Sequence, residues 1–334
     1  MKTTKKVYAK DISNKDRLLK VLEVFSEESD EENSIVIKVL REKLKLALGE
    51  NFNVEKRSLL DDIHTLQRCG YDIIENDGPN NQKEYYISRI FEVHELRLLI
   101  DAVSSARSIT TGETKKIIDK IKRLTSKPHG KKLQNYLYIS DTVKCEESIA
   151  LSVDKIHTAI SNKTGVQFQY GNYTVDKEFK LHRGKNFYTV DPYELAWNND
   201  FYYLVGKDTS KDKIIHFRVD RMRNVKYIDF KTQKGYFNIG DHLKSCFNMY
   251  PGEKEVIDLQ FNNGLINVII DRFGTGINIK KINDTTFSIR IDAAINEGLI
   301  RWLLTWGSDV KIIKPQSLVE AVKQEINKMF NVYK

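Results

Sequence analysis

The sequence predicts a multidomain α+β protein: an N-terminal winged helix-turn-helix, a helical linker, a small β-barrel and a C-terminal ferredoxin-like α+β domain. Three observations predict it. Apolar residues recur at helical spacing through the leading segment and run into a hairpin signal. Short strand-like runs crowd between 165 and 230. The last part, 254–334, alternates in β-α-β-β-α-β order. A chain of 334 residues has room for two or three domains, and 40% hydrophobic with 30% charged residues is an ordinary globular balance.

In the leading segment, residues 16–27 read as a helix with Leu18, Leu19, Leu22 and Phe25 at helical spacing. The acidic run Glu27 to Glu32 breaks that pattern, and Asn33-Ser34 offers an N-cap for a second helix over 35–48, stopped by Gly49. A third helix is predicted over 54–69. Leu59, Leu60, Ile63 and Leu66 point one way, while Lys56, Arg57, Asp61, His64 and Arg68 point elsewhere. Gly70 ends it. Two short β patterns, Tyr71–Ile74 and Glu84–Ile87, flank the turn-rich stretch Asn76 to Asn81, which is a hairpin signal.

Residues 92–125 read as two helices divided near Thr110-Thr111-Gly112, and Lys127-Pro128-His129-Gly130 reads as punctuation. Residues 131–145 look extended, and 149–162 look helical. Strand patterns follow at Val166–Tyr170, Lys177–Leu181, Phe187–Leu195, Phe201–Gly206 and Lys213–Val219. In the last part, strands are expected near 255–261, 277–282, 286–291 and 309–313, and helices near 265–272, 293–305 and 316–330. Trp302 and Trp306, four apart on one helix, are expected to pack in the core rather than form a stacking platform.

The formal net charge of +8 favours polyanion partners, nucleic acid above all, although a plain basic surface gives the same number. The three cysteines, Cys69, Cys145 and Cys246, lie far apart, which argues against a disulfide framework and for a reducing compartment. Met1 to Lys10 is basic without an apolar core, and no apolar run approaches the roughly 20 residues that span a bilayer. A cytoplasmic protein is expected.

No enzyme signature stands out: GxGxxG, GxxxxGK[ST], HExxH and GxSxG are all absent. His and Cys do not cluster at metal-ligand spacing, so neither a metal nor a cofactor is expected. The third helix is the candidate DNA reader, because a helix fits the major groove and its N-terminal residues reach base edges. Lys56, Arg57 and Ser58 occupy that end and His64 lies further along. Lys83, with Asn80, Asn81 and Gln82, sits at the hairpin tip near backbone or minor groove. The competing reading is a polar helix face beside a solvated loop.

The segments Val190-Asp191-Pro192-Tyr193-Glu194-Leu195, Phe201-Tyr202-Tyr203-Leu204-Val205-Gly206 and His216-Phe217-Arg218-Val219-Asp220-Arg221-Met222 resemble the WYL domain. The whole chain resembles bacterial transcriptional regulators built as helix-turn-helix, WYL domain and C-terminal WYL extension. That resemblance implies an SH3- or Sm-like barrel binding a regulatory ligand, in some members single-stranded nucleic acid, and homodimers on operator DNA. It divides the chain into 1–90 (DNA-binding head), 91–150 (helical linker and dimerisation region), 151–232 (sensor) and 233–334 (extension).

Within the barrel, strand alternation makes Leu204, Phe217 and Val219 the natural core and places Tyr203, His216 and Arg218 on an outward face. A ring, an imidazole and a guanidinium together suit a phosphate or nucleobase. Arg221 adds a second cation, with Tyr170, His182, Arg183 and Tyr193 as neighbours from other strands. The competing reading pairs Arg218 and Arg221 with Asp220 or other carboxylates, as supports of the barrel. Three departures from the family pattern bear on the sites. Tyr202 stands for tryptophan. Tyr188-Thr189 stand where relatives often carry arginine, leaving Arg183 or Lys185 as substitutes. Asp61-Asp62 stand where many relatives carry Arg-Asp; Asp61 repels phosphate but can accept a bond from cytosine. The expected function is a ligand-responsive transcription factor on duplex operator DNA whose barrel senses an anionic ligand, a nucleotide or single-stranded nucleic acid. The alternative is an RNA- or single-strand-binding accessory protein with a degenerate head.

Overall fold

The computed structural model describes residues 12–133, 147–231, 239–247, 249–250 and 252–334. The described residues are mixed α/β, with N-terminal helices and three antiparallel sheets among them, and form two compact units dividing between Glu146 and Glu147. No helix among the described residues is long and apolar enough to cross a membrane.

In the first unit, α1 (Asn14–Glu28) starts on a capping box: the Asp16 N–H donates to Ser13 Oγ and the Ser13 N–H to the Asp16 carboxylate. Strand β1 (Ile35–Val36) leads into α2 (Ile37–Leu48), which Gly49 ends at φ +118°, a backbone that L side chains rarely adopt. Helix α3 (Lys56–Arg68) precedes the hairpin β2 (Ile73–Asp77) and β3 (Lys83–Ile87). The sheet runs β1-β3-β2. Val21, Phe25, Leu40, Leu44, Leu59 and Ile63 close one core. A bidentate pair from Arg17 on α1 to the buried Asp62 on α3, at 2.6 and 3.1 Å, fixes the angle between those helices. Helices α4 (Val93–Ser105), α5 (Thr111–Lys122) and α6 (Lys127–Lys132) follow, packed on Leu96, Ile100, Ile121 and Leu133.

Two expectations fail here for tertiary reasons. Ile35-Val36 do not begin the second helix: they pair with Tyr85 and Glu84 as a third strand, and Val36 rather than Asn33-Ser34 caps α2. β-branched residues suit a strand when a free edge is at hand. Lys127 to Gly130 are helical, not punctuation, because Ser126 Oγ accepts from the His129 N–H and Pro128 sits in the first turn, where its missing N–H costs nothing. The stretch expected as extended, 131–145, begins in this helix; its remainder, Cys145 included, lies outside the described residues, as do Met1 to Lys10.

The second unit opens with α7 (Ala150–Asn162), then β4 (Thr164–Tyr173), β5 (Phe179–Leu181), β6 (Tyr188–Asn198), β7 (Phe201–Asp208), β8 (Lys213–Arg218) and β9 (Met222–Lys231). The order is β5-β4-β6-β7-β8, with β9 also paired to β4. Register shifts in β4–β9 and at Pro192/Glu194 of β6–β7 bend the strands. Leu204, Phe217 and Val219 enter the core as alternation predicts, beside Phe168, Val190 and Ile156 of α7.

A short helix absent from the sequence reading, α8 (Ile239–Ser245), comes next. Beyond it run β10 (Lys254–Asn262), α9 (Ile266–Phe273), β11 (Ile279–Lys281), β12 (Thr286–Ala294), α10 (Glu297–Leu304), β13 (Val310–Lys314) and α11 (Gln316–Val332). The sheet order is β11-β12-β10-β13, antiparallel throughout. Trp302 packs against Phe247, Phe261 and Phe273 in this core, and Trp306 lies against Trp302 at 6.2 Å.

Candidate functional site

On α3, Leu59, Ile63 and Leu66 are buried, so the helical period turns Arg57, Asp61, His64 and Arg68 outward, and all four are exposed. Lys56 is exposed and Ser58 half-buried. A groove of about 390 Å³ between the starts of α2 and α3 and the hairpin tip is lined by Lys38, Arg41, Lys56, Asn81, Gln82 and Lys83. Lys38 and Arg41 of α2 are not among the residues singled out from the sequence. Lys83 is less free than expected: its ammonium lies 2.6 Å from Asp77 and 3.2 Å from Glu75, the first its direct cross-strand neighbour. Those carboxylates raise its pKa and offset its charge.

In the second unit, Tyr203 of β7 stands opposite Arg218 of β8. The Arg218 guanidinium forms two bonds to Asp220, at 3.1 and 2.7 Å, and stacks on Phe201 with its central carbon 3.5 Å from the ring centre. The competing reading of Arg218 as a paired support therefore describes its contacts. Tyr170 Oη accepts from the Arg218 N–H at 3.2 Å. Burial raises the pKa of both Tyr170 and Tyr203, so each stays a neutral phenol and a potential donor. Arg221 donates to Asn172 Oδ1 at 3.1 Å, and among the described residues no carboxylate lies within ion-pair distance of it. Tyr170, Tyr203, Arg218 and Arg221 thus form one cluster with two cations to a single acid.

The other expected neighbours spread out. His182 is exposed, its ring edge against Tyr170 at 5.6 Å. Arg183 lies over the Tyr188 ring at 3.9 Å and 3.6 Å from the fully buried Asp208, so its charge is engaged there. Tyr193 is half-buried at the β6 bulge, where Asp191, Lys207 and Asp212 surround it instead of the arginines.

His216 departs most from expectation. It does not lie on an open face with Tyr203 and Arg218, because Leu243 and Met249 cover that side of β7 and β8. Its Nδ1 lies 2.7 Å from the Met249 carbonyl and its Nε2 2.9 Å from His242 Nε2. Burial pushes its pKa down to about 4, so it supplies no positive charge to a phosphate at neutral pH. Cys246 Sγ is 3.7 Å from His242 Nε2, and burial pushes that thiol up to about 11. The reading that His and Cys do not cluster holds only along the chain. The fold brings donor atoms of His216, His242 and Cys246 within 4.8 Å of one another.

No curated protein matches the chain. The solved structure of proteasome accessory factor B/C (PafBC) of Arthrobacter aurescens is similar over 93% of this chain and 48% of that one, at 16% identity with a TM-score of 0.26. The chain thus spans about half the length of that structure's chain. Residues 152–227 match the family model of the WYL domain and residues 253–330 that of the WCX domain, so the chain carries a WYL domain followed by a WCX domain.

Proposed function

We propose that this chain is a ligand-responsive transcription regulator whose first unit is a winged helix-turn-helix that reads duplex DNA with α3. The observation that carries this reading is the outward row Arg57, Asp61, His64 and Arg68 beside the basic groove of Lys38, Arg41 and Lys56. A helix with its apolar side buried and its polar side bare beside cations has the form a major-groove reader needs. The neighbouring cations supply sequence-independent affinity through counterion release. The WYL domain is proposed to bind an anionic ligand, a nucleotide or single-stranded nucleic acid, at Tyr170, Tyr203, Arg218 and Arg221. Arg221 is the principal cation there, since Asp220 already holds Arg218. A homodimer on operator DNA, with ligand altering operator affinity through a coupling of about 1–3 kcal/mol, completes the proposal.

Duplexes selected by the purified protein from a random pool provide the test. Arg57→Ala is expected to weaken the selected duplex by about 1–3 kcal/mol and to relax its sequence preference, whereas Lys56→Ala weakens all duplexes evenly and lowers the salt slope by about one. Tighter binding to structured RNA than to any duplex at matched salt would replace this reading with that of an accessory RNA-binding protein. For the ligand site, Arg221→Ala is expected to abolish binding of short single-stranded oligonucleotides and nucleoside phosphates while melting stays unchanged. Undiminished binding removes the site.

A further inference from the structure

We propose that His216, His242 and Cys246 form a binding site for a borderline-soft divalent transition ion, zinc being the one their donor set fits best. The inference stands apart from the DNA and ligand readings, since it uses none of their test residues.

His242 lies in α8 and Cys246 four residues on, immediately past its end, a spacing of about one helical turn that brings both side chains to the same side. His216 comes from β8, outside that segment. The three donor atoms converge within 4.8 Å, and Cys246 is buried. Around a tetrahedral ion with nitrogen at about 2.0–2.1 Å and sulfur at about 2.3 Å, the nitrogens stand about 3.4 Å apart and sulfur about 3.6 Å from each. The Cys246–His242 separation of 3.7 Å meets that already. The His216–His242 separation of 2.9 Å needs the rings to part by about half an ångström, a movement within side-chain reach.

His216 is also oriented for the task. The Met249 carbonyl can only accept, so Nδ1 carries the proton and Nε2 presents its lone pair to His242 and Cys246. A backbone carbonyl holding the far nitrogen is the support that ligating histidines usually have. Two imidazoles and a thiolate select zinc over magnesium or calcium, which prefer oxygen. Coordination replaces the Cys246 S–H bond by a metal–sulfur bond and releases one proton to solvent. Among the described residues no further His, Cys, Asp or Glu joins the group. The ion would tie the segment ahead of the WCX domain to the strand that carries Arg218.

Cobalt(II) is the probe. The full-length protein, stripped with chelator and kept reduced, is titrated with CoCl2. One equivalent per chain is expected, with intense tetrahedral d–d bands and a thiolate-to-cobalt charge-transfer band, both displaced by zinc. Cys246→Ser is expected to remove the charge-transfer band and weaken zinc at least about tenfold, the scale on which even supporting residues of metal sites act. Cys69→Ser, at an exposed cysteine remote in sequence, is expected to change neither. His242→Asn, on the half-buried side of α8, gives a second reading should Cys246→Ser not fold: it must lower affinity and alter the d–d bands. Absence of stoichiometric cobalt uptake by the wild type overturns the proposal. So does a charge-transfer band that survives Cys246→Ser, or affinity and d–d bands that His242→Asn leaves unchanged.

Discussion

Asp30→Ala is expected to destabilise the first unit by about 3–5 kcal/mol, the scale of stripping a buried charge from its partners. Asp30 is fully buried. Its carboxylate accepts from Ser126 Oγ, from the Asn33 N–H at 2.9 Å, from Asn33 Nδ2 at 2.7 Å and from the Glu32 N–H at 3.0 Å. His129 Nε2, also buried, lies 3.3 Å away. Alanine leaves these donors without their acceptor, and each donor stranded in the buried part of the cluster costs about 1–3 kcal/mol. The same bonds join the end of α1 to the cap of α6, residues 96 apart in sequence, so the loss spreads over both helices. Urea denaturation of the two proteins, read by helix signal, checks it; midpoints that coincide would show the contacts to be passive.

A pH dependence follows from the same group. Burial raises the Asp30 pKa, but the bonds from Ser126 and Asn33, together with His129, outweigh it and hold the carboxyl below its ordinary value of 3.8. A depressed acid stabilises the fold above its unfolded pKa and loses that contribution as pH falls through its folded value. The urea midpoint is therefore expected to be insensitive to this group down to about pH 4 and to fall below it, with that component missing from Asp30→Ala.

Phe168→Ala is expected to cost about 3–5 kcal/mol in the second unit, and Phe168→Leu markedly less. The Phe168 ring is fully buried, stacked on Tyr188 at 5.8 Å and edge-on to Phe217 at 5.0 Å and Tyr170 at 6.3 Å. Its removal opens a cavity beneath Tyr170, whose hydroxyl accepts from the Arg218 backbone. Stability and anion binding should therefore fall together, even though Phe168 touches no ligand-facing cation. Differential scanning calorimetry with an oligonucleotide titration separates the two readouts. Retained binding in a clearly destabilised variant would show that Tyr170 holds its place without the ring.

What the sequence determined by itself is local. Apolar periods of 3.6 and 2 located α1, α3, α4, α5 and the sensor strands β4 to β8, because burial of one face is written in neighbouring residues, whereas β9, paired to β4 from far along the chain, was not read. The three WYL-like segments were readable for the same reason, each lying within one strand or turn. What only the tertiary structure decided are partnerships across long loops. The pairing of Ile35-Val36 with Tyr85-Glu84 turned an expected helix start into a strand. The cover of Leu243 and Met249 turned His216 from a surface imidazole into a half-buried one held by the Met249 carbonyl. The approach of His242 and Cys246 to His216, and of Ser126 to Asp30, joins residues 26 to 96 positions apart. Such contacts depend on where the chain reverses and which faces then meet, and that information resides in the summed packing of the core rather than in any one window of residues.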